Sequence, residues 1–173
     1  MMQKKVQIIS DGSLDLSQEL TKEKDIEVVP FYVSFDSETY QKEMVEVGVR
    51  EFYQEMVDHP TVFPKTSMPS VHDYYEVFEK HAKEKMPVIC ICITRKFSGS
   101  LQSATTAKDM ILEEYPDAQI TVIDSTVNTV LQGLYVLEAC RLRDMGLEYQ
   151  QIVDALLPIR ETGRIFFLSL IHI

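Results

Sequence analysis

The stretch Val88-Ile-Cys-Ile-Cys-Ile93 is an uninterrupted apolar run near the middle of the chain. Because it is apolar on both faces of the pleat, it is typical of a central strand in a parallel sheet, buried on both sides. Residues 71–85, before it, carry apolar side chains at helical spacing, and residues 100–114, after it, form a second predicted helix. The run therefore predicts a buried strand with a helix on either side of it in sequence.

The same alternation of short apolar runs and longer amphipathic segments extends over the whole chain. Strands are predicted at residues 6–10, 26–35, 88–93, 119–124 and 164–170. Helices are predicted at residues 17–24, 49–58, 71–85, 100–114, 134–145 and 147–160. Strands that alternate with helices imply βαβ crossovers, so the predicted fold class is α/β, a mostly parallel sheet with helices on both faces.

Composition excludes several classes of protein without naming a function. The chain has 173 residues, of which 45% are hydrophobic, as expected for one globular domain. Its 27 acidic and 17 basic residues give a net charge of −10, which disfavours nucleic acid as a partner. No apolar stretch approaches the length of a membrane span, and three cysteines without framework spacing indicate a reducing cytoplasm.

Ligands of parallel α/β sheets bind at the carboxyl ends of the strands, so four loops are candidate parts of a ligand site. These are residues 11–16, 64–70, 95–100 and 125–129, and they are rich in hydroxyls and poor in catalytic bases. The pattern at Asp11, Ser13 and Asp15 is interpreted as turn formation and helix capping. No cofactor is predicted, because the cysteines and histidines lack metal-ligand spacing.

The loop at residues 95–100 leaves the central strand and opens a helix. Ser98 and Gly99 stand where free backbone N–H groups and the positive end of the helix dipole favour an anion. Lys96 stands where a hydrolase nucleophile elbow has glycine, and a P-loop pattern is missing. The residues themselves favour an anion site and simple helix capping about equally.

In the loop at residues 64–70, Thr66 and Ser67 precede a helix with Ser70 as its cap, and this motif alone predicts nothing more.

Together these loops resemble the DegV family of bacterial fatty-acid-binding proteins. The stretches that carry the resemblance are Asp11-Gly-Ser-Leu-Asp-Leu16, Val29-Pro30, Glu51-Phe-Tyr53, Lys65-Thr-Ser-Met-Pro-Ser70, Ser98-Gly-Ser-Leu-Gln-Ser-Ala104 and Val122-Ile-Asp-Ser125. They occur in the family's order with nearly its spacing. Met68 departs from the family's glutamine and Leu101 from its tyrosine.

The resemblance implies a cytoplasmic carrier without enzymatic activity that binds one long-chain, palmitate-like fatty acid. The ligand carboxylate would contact the hydroxyls of Thr66 and Ser98, with Ser67 and Gly99 as supporting residues, so both hydroxyls are expected close together. Some family members present the acyl chain to a fatty acid kinase, which is the expected partner. The family's second domain is expected to lie outside this sequence. We therefore expect one DegV-like domain at residues 1–168, a non-matching tail at 169–173, and a fragment of a longer protein.

Two enzyme classes remain as alternatives to a lipid carrier. Ser98 would be the nucleophile of a serine hydrolase, although no histidine is placed by a motif to act as its base. Asp11, Asp15 and Asp124 follow or end strands, so a small-molecule phosphotransferase is the other alternative.

Overall fold

The computed structural model describes residues 6–166. The strands are β1 (Gln7–Asp11), β2 (Ile26–Val29), β3 (Tyr32–Ser34), β4 (Gln41–Lys42), β5 (Lys65–Ser67), β6 (Val88–Cys92) and β7 (Ile120–Asp124). The α-helices are α1 (Gln18–Glu23), α2 (Val49–Asp58), α3 (Val71–Lys83), α4 (Ser100–Glu114), α5 (Thr129–Asp144) and α6 (Tyr149–Ile159). A single 3-10 turn, Gly12–Leu14, follows β1. None of the helices within the described residues combines the length and apolar composition needed to span a bilayer.

The main sheet has four parallel strands in the order β2-β1-β6-β7. Every residue of β6 is fully buried, which confirms the prediction of a central strand. Alternate side chains of β6 enter two separate cores. Ile89 and Ile91 pack with α5 and α6, whereas Cys90 and Cys92 pack with α3 and α4. The predicted α/β class, with helices on both faces of a parallel sheet, is therefore confirmed.

A second, smaller sheet corrects the predicted strand at residues 26–35. That segment is divided at Pro30 into β2, in the main sheet, and β3, which pairs antiparallel with β4 and β5. Proline has no N–H to donate to a strand ladder, so the chain leaves the main sheet where β2 ends. Strand β5 lies in the segment predicted as a plain loop, and its three residues are all exposed. A strand this short and exposed carries no hydrophobic alternation to reveal it.

Two further predictions differ from the structure. Helix α5 begins at Thr129, ahead of the predicted start at residue 134; its first five residues include Thr129, Val130 and Gly133, residue types of low helix propensity. In the strand predicted at residues 164–170, residues 164–166 are not in a strand, and the others lie outside the described residues. The predicted tail at 169–173 also lies outside them. Gly146 follows α5 with a φ of 88°, in the left-handed region that commonly ends a helix.

Helix α5 lies directly on the turn that follows β1. A Cβ added at Gly133 would lie 2.3 Å from the carbonyl oxygen of Leu14 and 2.8 Å from a methyl carbon of Leu16. Both distances are too short for real atoms, and the first involves backbone that a side-chain rotation cannot move. Glycine at this position therefore permits the close approach of α5 to the carboxyl end of β1.

Replacing Gly133 with alanine is expected to lower the free energy of unfolding, measured by urea denaturation. Alanine favours a helix interior by about 1 kcal/mol over glycine. The displacement of the turn outweighs this gain, because overpacking a close contact costs about 1–3 kcal/mol. The matched control is Gly48→Ala, where an added Cβ meets nothing within 4 Å and stability should change by less than about 1 kcal/mol. A Gly133→Ala variant as stable as the wild type would contradict the close approach.

Candidate functional site

The carboxyl ends of β1, β6 and β7 meet at one edge of the main sheet, and the loops that follow them are joined by backbone hydrogen bonds. The Ser125 N–H donates to the Cys92 carbonyl at 3.0 Å, and the Thr94 N–H donates to the Val127 carbonyl at 3.0 Å. The loop that precedes α4 is thereby fixed to the loop that precedes α5. These hydrogen bonds fix the position of the backbone that carries the polar side chains at this edge.

Asp11, the last residue of β1, has no solvent exposure, and its carboxylate accepts four hydrogen bonds. Oδ2 accepts from the Ile93 N–H at 2.9 Å and from the Ser100 hydroxyl at 2.7 Å. Oδ1 accepts from Gln132 Nε2 at 2.8 Å and from the Ser13 hydroxyl at 2.6 Å, whose one hydrogen is shared with Gln132 Oε1 at 2.7 Å. One buried carboxylate thus connects β1, the end of β6, the first residue of α4 and the interior of α5.

This role corrects the interpretation of Asp11 as a capping residue. Asp11 does precede the 3-10 turn, but its side chain makes no capping hydrogen bond there. Asp15 ends that turn in the left-handed region, with a φ of 49°. The partner Gln132 is fully buried and lies far away in sequence, so no local pattern could have identified it. The only signal for Asp11 in the sequence was an acidic residue at the end of a predicted apolar strand.

Hydrogen bonds extend from Asp11 into the core beneath α3 and α4. A serine hydroxyl has one hydrogen, and that of Ser100 is donated to Asp11. The 2.6 Å contact between Ser100 Oγ and the Tyr74 hydroxyl must then have Tyr74 as the donor. Burial raises the pKa of Tyr74, so the tyrosine keeps its proton for this bond. A hydrogen bond with Cys90, together with burial, raises the pKa of Cys92, whose sulfur lies 3.7 Å from the tyrosine oxygen.

Ser98 is half-buried and lies just before α4, whose N-cap residue is Gly99. Its hydroxyl oxygen accepts the Ser100 N–H at 3.2 Å, although no side chain makes the N-cap hydrogen bond of α4. Among the described residues, no acceptor takes the hydrogen of the Ser98 hydroxyl. Ser98 therefore binds the start of the helix through its oxygen and retains a donor.

Thr66 and Ser67 lie in β5, both exposed, where they pair with Val33 and Tyr32 of β3. Successive side chains of a strand point to opposite faces, so at most one of these two hydroxyls can face α4. The loop that continues from β5 does reach α4. A Cβ added at Gly99 would lie 2.6 Å from Met68 Sδ, so the Met68 side chain rests on the N-cap of the helix. The meeting of the Thr66 and Ser98 hydroxyls stays a prediction.

Among the described residues, the histidines and aspartates of the two enzyme alternatives have other partners or lie at the surface. Three histidines pair with nearby glutamates and none contacts Ser98; these pairs are His59–Glu55, His72–Glu76 and His81–Glu27. Asp15 lies at the surface, where neighbouring atoms still shield part of its carboxylate from water and so raise its pKa. Asp124 accepts the Thr126 N–H at 2.8 Å. Within residues 6–166, no three carboxylate, histidine or cysteine side chains are arranged to hold a metal ion.

Comparison with known proteins gives consistent matches to one family. A model of the family described as "Uncharacterised protein, DegV family" matches residues 5–169. A DegV domain-containing protein of Clostridium acetobutylicum is 33% identical over 153 residues, which are 88% of this chain and 53% of the relative. The chain thus spans about half the length of the curated relatives it matches.

Solved structures give the same result. A fatty acid (stearic acid)-binding protein from Eubacterium ventriosum superposes with a TM-score of 0.84 at 46% identity, over 87% of this chain and 52% of its own. A DegV family protein from Thermus thermophilus, described by its fatty acid binding, superposes with a TM-score of 0.77 at 28% identity. That match covers 91% of this chain and 54% of the other.

Replacing Tyr74 with phenylalanine is expected to lower the free energy of unfolding by about 1–2 kcal/mol, because the buried Ser100 oxygen loses its donor. Tyr75→Phe is a matched control at the next position, since it removes an exposed hydrogen bond to Glu114. That variant should change stability by less than about 0.5 kcal/mol. Equal losses in the two variants, measured by urea denaturation, would contradict the buried hydrogen-bond chain.

Proposed function

This chain belongs to the DegV family, and from that membership together with the geometry of the β6–α4 loop we propose that it binds a long-chain, palmitate-like fatty acid. The ligand carboxylate lies at the N-terminus of α4 and accepts the hydroxyl hydrogen of Ser98. Thr66 of β5 supplies a second hydroxyl from the opposite side. The backbone of Gly99 lies between them and supports the same anion, and Ser67 adds to the donors through the backbone of β5.

The observation that carries this proposal is the unused donor of Ser98 at the N-terminus of a fifteen-residue helix. The helix dipole and the free N–H groups of its first turn favour a negative charge at that position. Hydroxyl and amide donors are sufficient for a singly charged carboxylate, so no lysine or arginine is required in contact with it. The anion-site interpretation of the loop is preferred for this reason.

Apolar side chains next to these donors suit a ligand with a hydrocarbon chain. Met68, which rests on Gly99, is 43% exposed, and Phe97, which precedes Ser98, is 58% exposed. Apolar side chains left in water beside a small anion site match an amphiphile whose chain begins where its carboxylate is bound. Burial of each methylene contributes about 0.8 kcal/mol, so the acyl chain supplies most of the affinity.

We further propose that the protein carries the acyl chain in the cytoplasm, presents it to a fatty acid kinase and does not transform it itself. Three buried free cysteines favour a reducing compartment. The hydrolase and phosphotransferase alternatives are not supported. Ser98 has no histidine partner among the described residues, and all four hydrogen bonds of Asp11 are used within the protein.

Native mass spectrometry of the protein purified from bacteria tests the proposal directly. A co-purified mass equal to that of a C16–C18 fatty acid is the expected result, released by organic solvent and absent from a lysate protein purified in parallel. Purification without a bound fatty acid, together with no binding of added palmitate, would reject the proposed ligand.

Replacing Ser98 or Thr66 with alanine is expected to weaken binding of a fluorescent fatty acid about ten- to hundredfold, the cost of losing a hydrogen bond to a charged group. Binding of the corresponding fatty alcohol should change much less, since its neutral head group depends less on these donors. Thr106→Ala, a hydroxyl loss farther along α4, is the control and should leave both affinities unchanged. A Ser98→Ala variant that binds the acid as tightly as wild type would contradict the assigned head-group site.

A further inference from the structure

We propose that Asp11 is a positioning residue for the carboxylate site, acting through Ser100 on Ser98. This inference rests on the proposed function, because it assigns a residue that never touches the ligand to the geometry of that ligand's donors. Asp11 has three properties that a positioning residue requires: complete burial, hydrogen bonds to both carboxylate oxygens and a direct link to the site.

The link consists of two consecutive hydrogen bonds. Asp11 Oδ2 holds the Ser100 hydroxyl at 2.7 Å, which fixes the first residue of α4 by its side chain. The backbone N–H of the same residue then donates to Ser98 Oγ at 3.2 Å. Because the Ser98 oxygen is engaged from inside the protein, its hydrogen is directed to the outside, where the ligand carboxylate lies.

The second link passes through the strand that leads into the loop. The same oxygen of Asp11 accepts the Ile93 N–H at 2.9 Å, immediately beyond β6. Asp11 therefore holds both ends of the segment that contains Ser98, at Ile93 and at Ser100. A loop fixed at both ends by one carboxylate oxygen has little freedom to turn its hydroxyl away from the site.

The charge of Asp11 is held entirely by neutral donors. All four of its contacts are N–H or O–H groups, the pattern of a carboxylate that acts only as an acceptor. No basic side chain within residues 6–166 forms an ion pair with it. An amide at this position would present an N–H₂ group to one of these donors, so Asn cannot reproduce the arrangement. The loop geometry therefore depends on the carboxylate of Asp11 and not only on the size of its side chain.

The test compares two ligands with the same chain, a fluorescent C16 fatty acid and the corresponding fluorescent fatty alcohol. Their affinity ratio in the 173-residue chain measures how well the donors of the site are aligned with a carboxylate. A general loss of stability lowers both affinities together and leaves this ratio unchanged. Misalignment of Ser98 lowers the affinity for the acid alone.

Asp11→Asn and Ser100→Ala are each expected to reduce the preference for the acid about tenfold, and the double variant should reduce it no further, because both substitutions break the same link. Ser13→Ala is the matched control. It removes a hydroxyl that contacts the other oxygen of Asp11 and Gln132 Oε1 of α5, not α4, and should leave the preference unchanged. Circular dichroism establishes that each variant folds, and if Asp11→Asn does not, the comparison of Ser100→Ala with Ser13→Ala decides the matter.

Three outcomes would overturn the inference. If Ser100→Ala keeps the wild-type preference while Ser98→Ala loses it, Asp11 has no positioning role and the proposed function stands. If Ser13→Ala and Ser100→Ala lose the preference equally, Asp11 acts on the whole edge of the sheet and not through Ser100. If the wild-type chain shows no preference for the acid, the proposed head-group site fails and the inference fails with it.

Discussion

Helices cover both faces of the paired strands β1 and β6, and this double burial is the constraint on which the rest of the structure depends. A strand pair with no access to water leaves no solvent to satisfy a polar side chain, so any such group must find its partners within the protein. Asp11 and Ser10, at the end of β1, are such groups. Their partners come from α4 and α5, which are thereby fixed at the edge where the loops emerge.

The site that results uses little charge of its own, which matters in a chain with a net charge of −10. An anionic ligand approaching such a surface is repelled at long range. Lys65, Arg95 and Lys96 belong to the two segments that meet at the site, and all three are exposed. The Arg95 guanidinium lies 3.7 Å from Asp124, so Lys65 and Lys96 supply the positive charge beside the proposed carboxylate site. Under the proposed function, these lysines would act on the approach of the ligand, whereas hydroxyl and amide donors would bind its carboxylate.

The parts of this structure that could be predicted from sequence are those with a local signal. The apolar run of β6 predicted a doubly buried strand, and the ordered loop motifs predicted the DegV family; both are confirmed. The strands β4 and β5 were not found, and β3 was not separated from β2, because strands of two or three residues have no periodicity and their pairing is decided by distant partners. The hydrogen bond between Asp11 and Gln132 was not predicted for a similar reason, since the two residues are 121 positions apart in the sequence. The pairing of Thr66 with Ser98 came from the family resemblance and stays a prediction.

Helix α2 buries none of its residues, and the small sheet beside it is built from strands of two or three residues. Few buried side chains and short strand ladders are the features that lower the local stability measured by hydrogen exchange. Thr66 belongs to this segment between β2 and α3, whereas Ser98 follows a fully buried strand of the main sheet. The two residues of the proposed head-group site are therefore held by parts of the fold that differ in local packing.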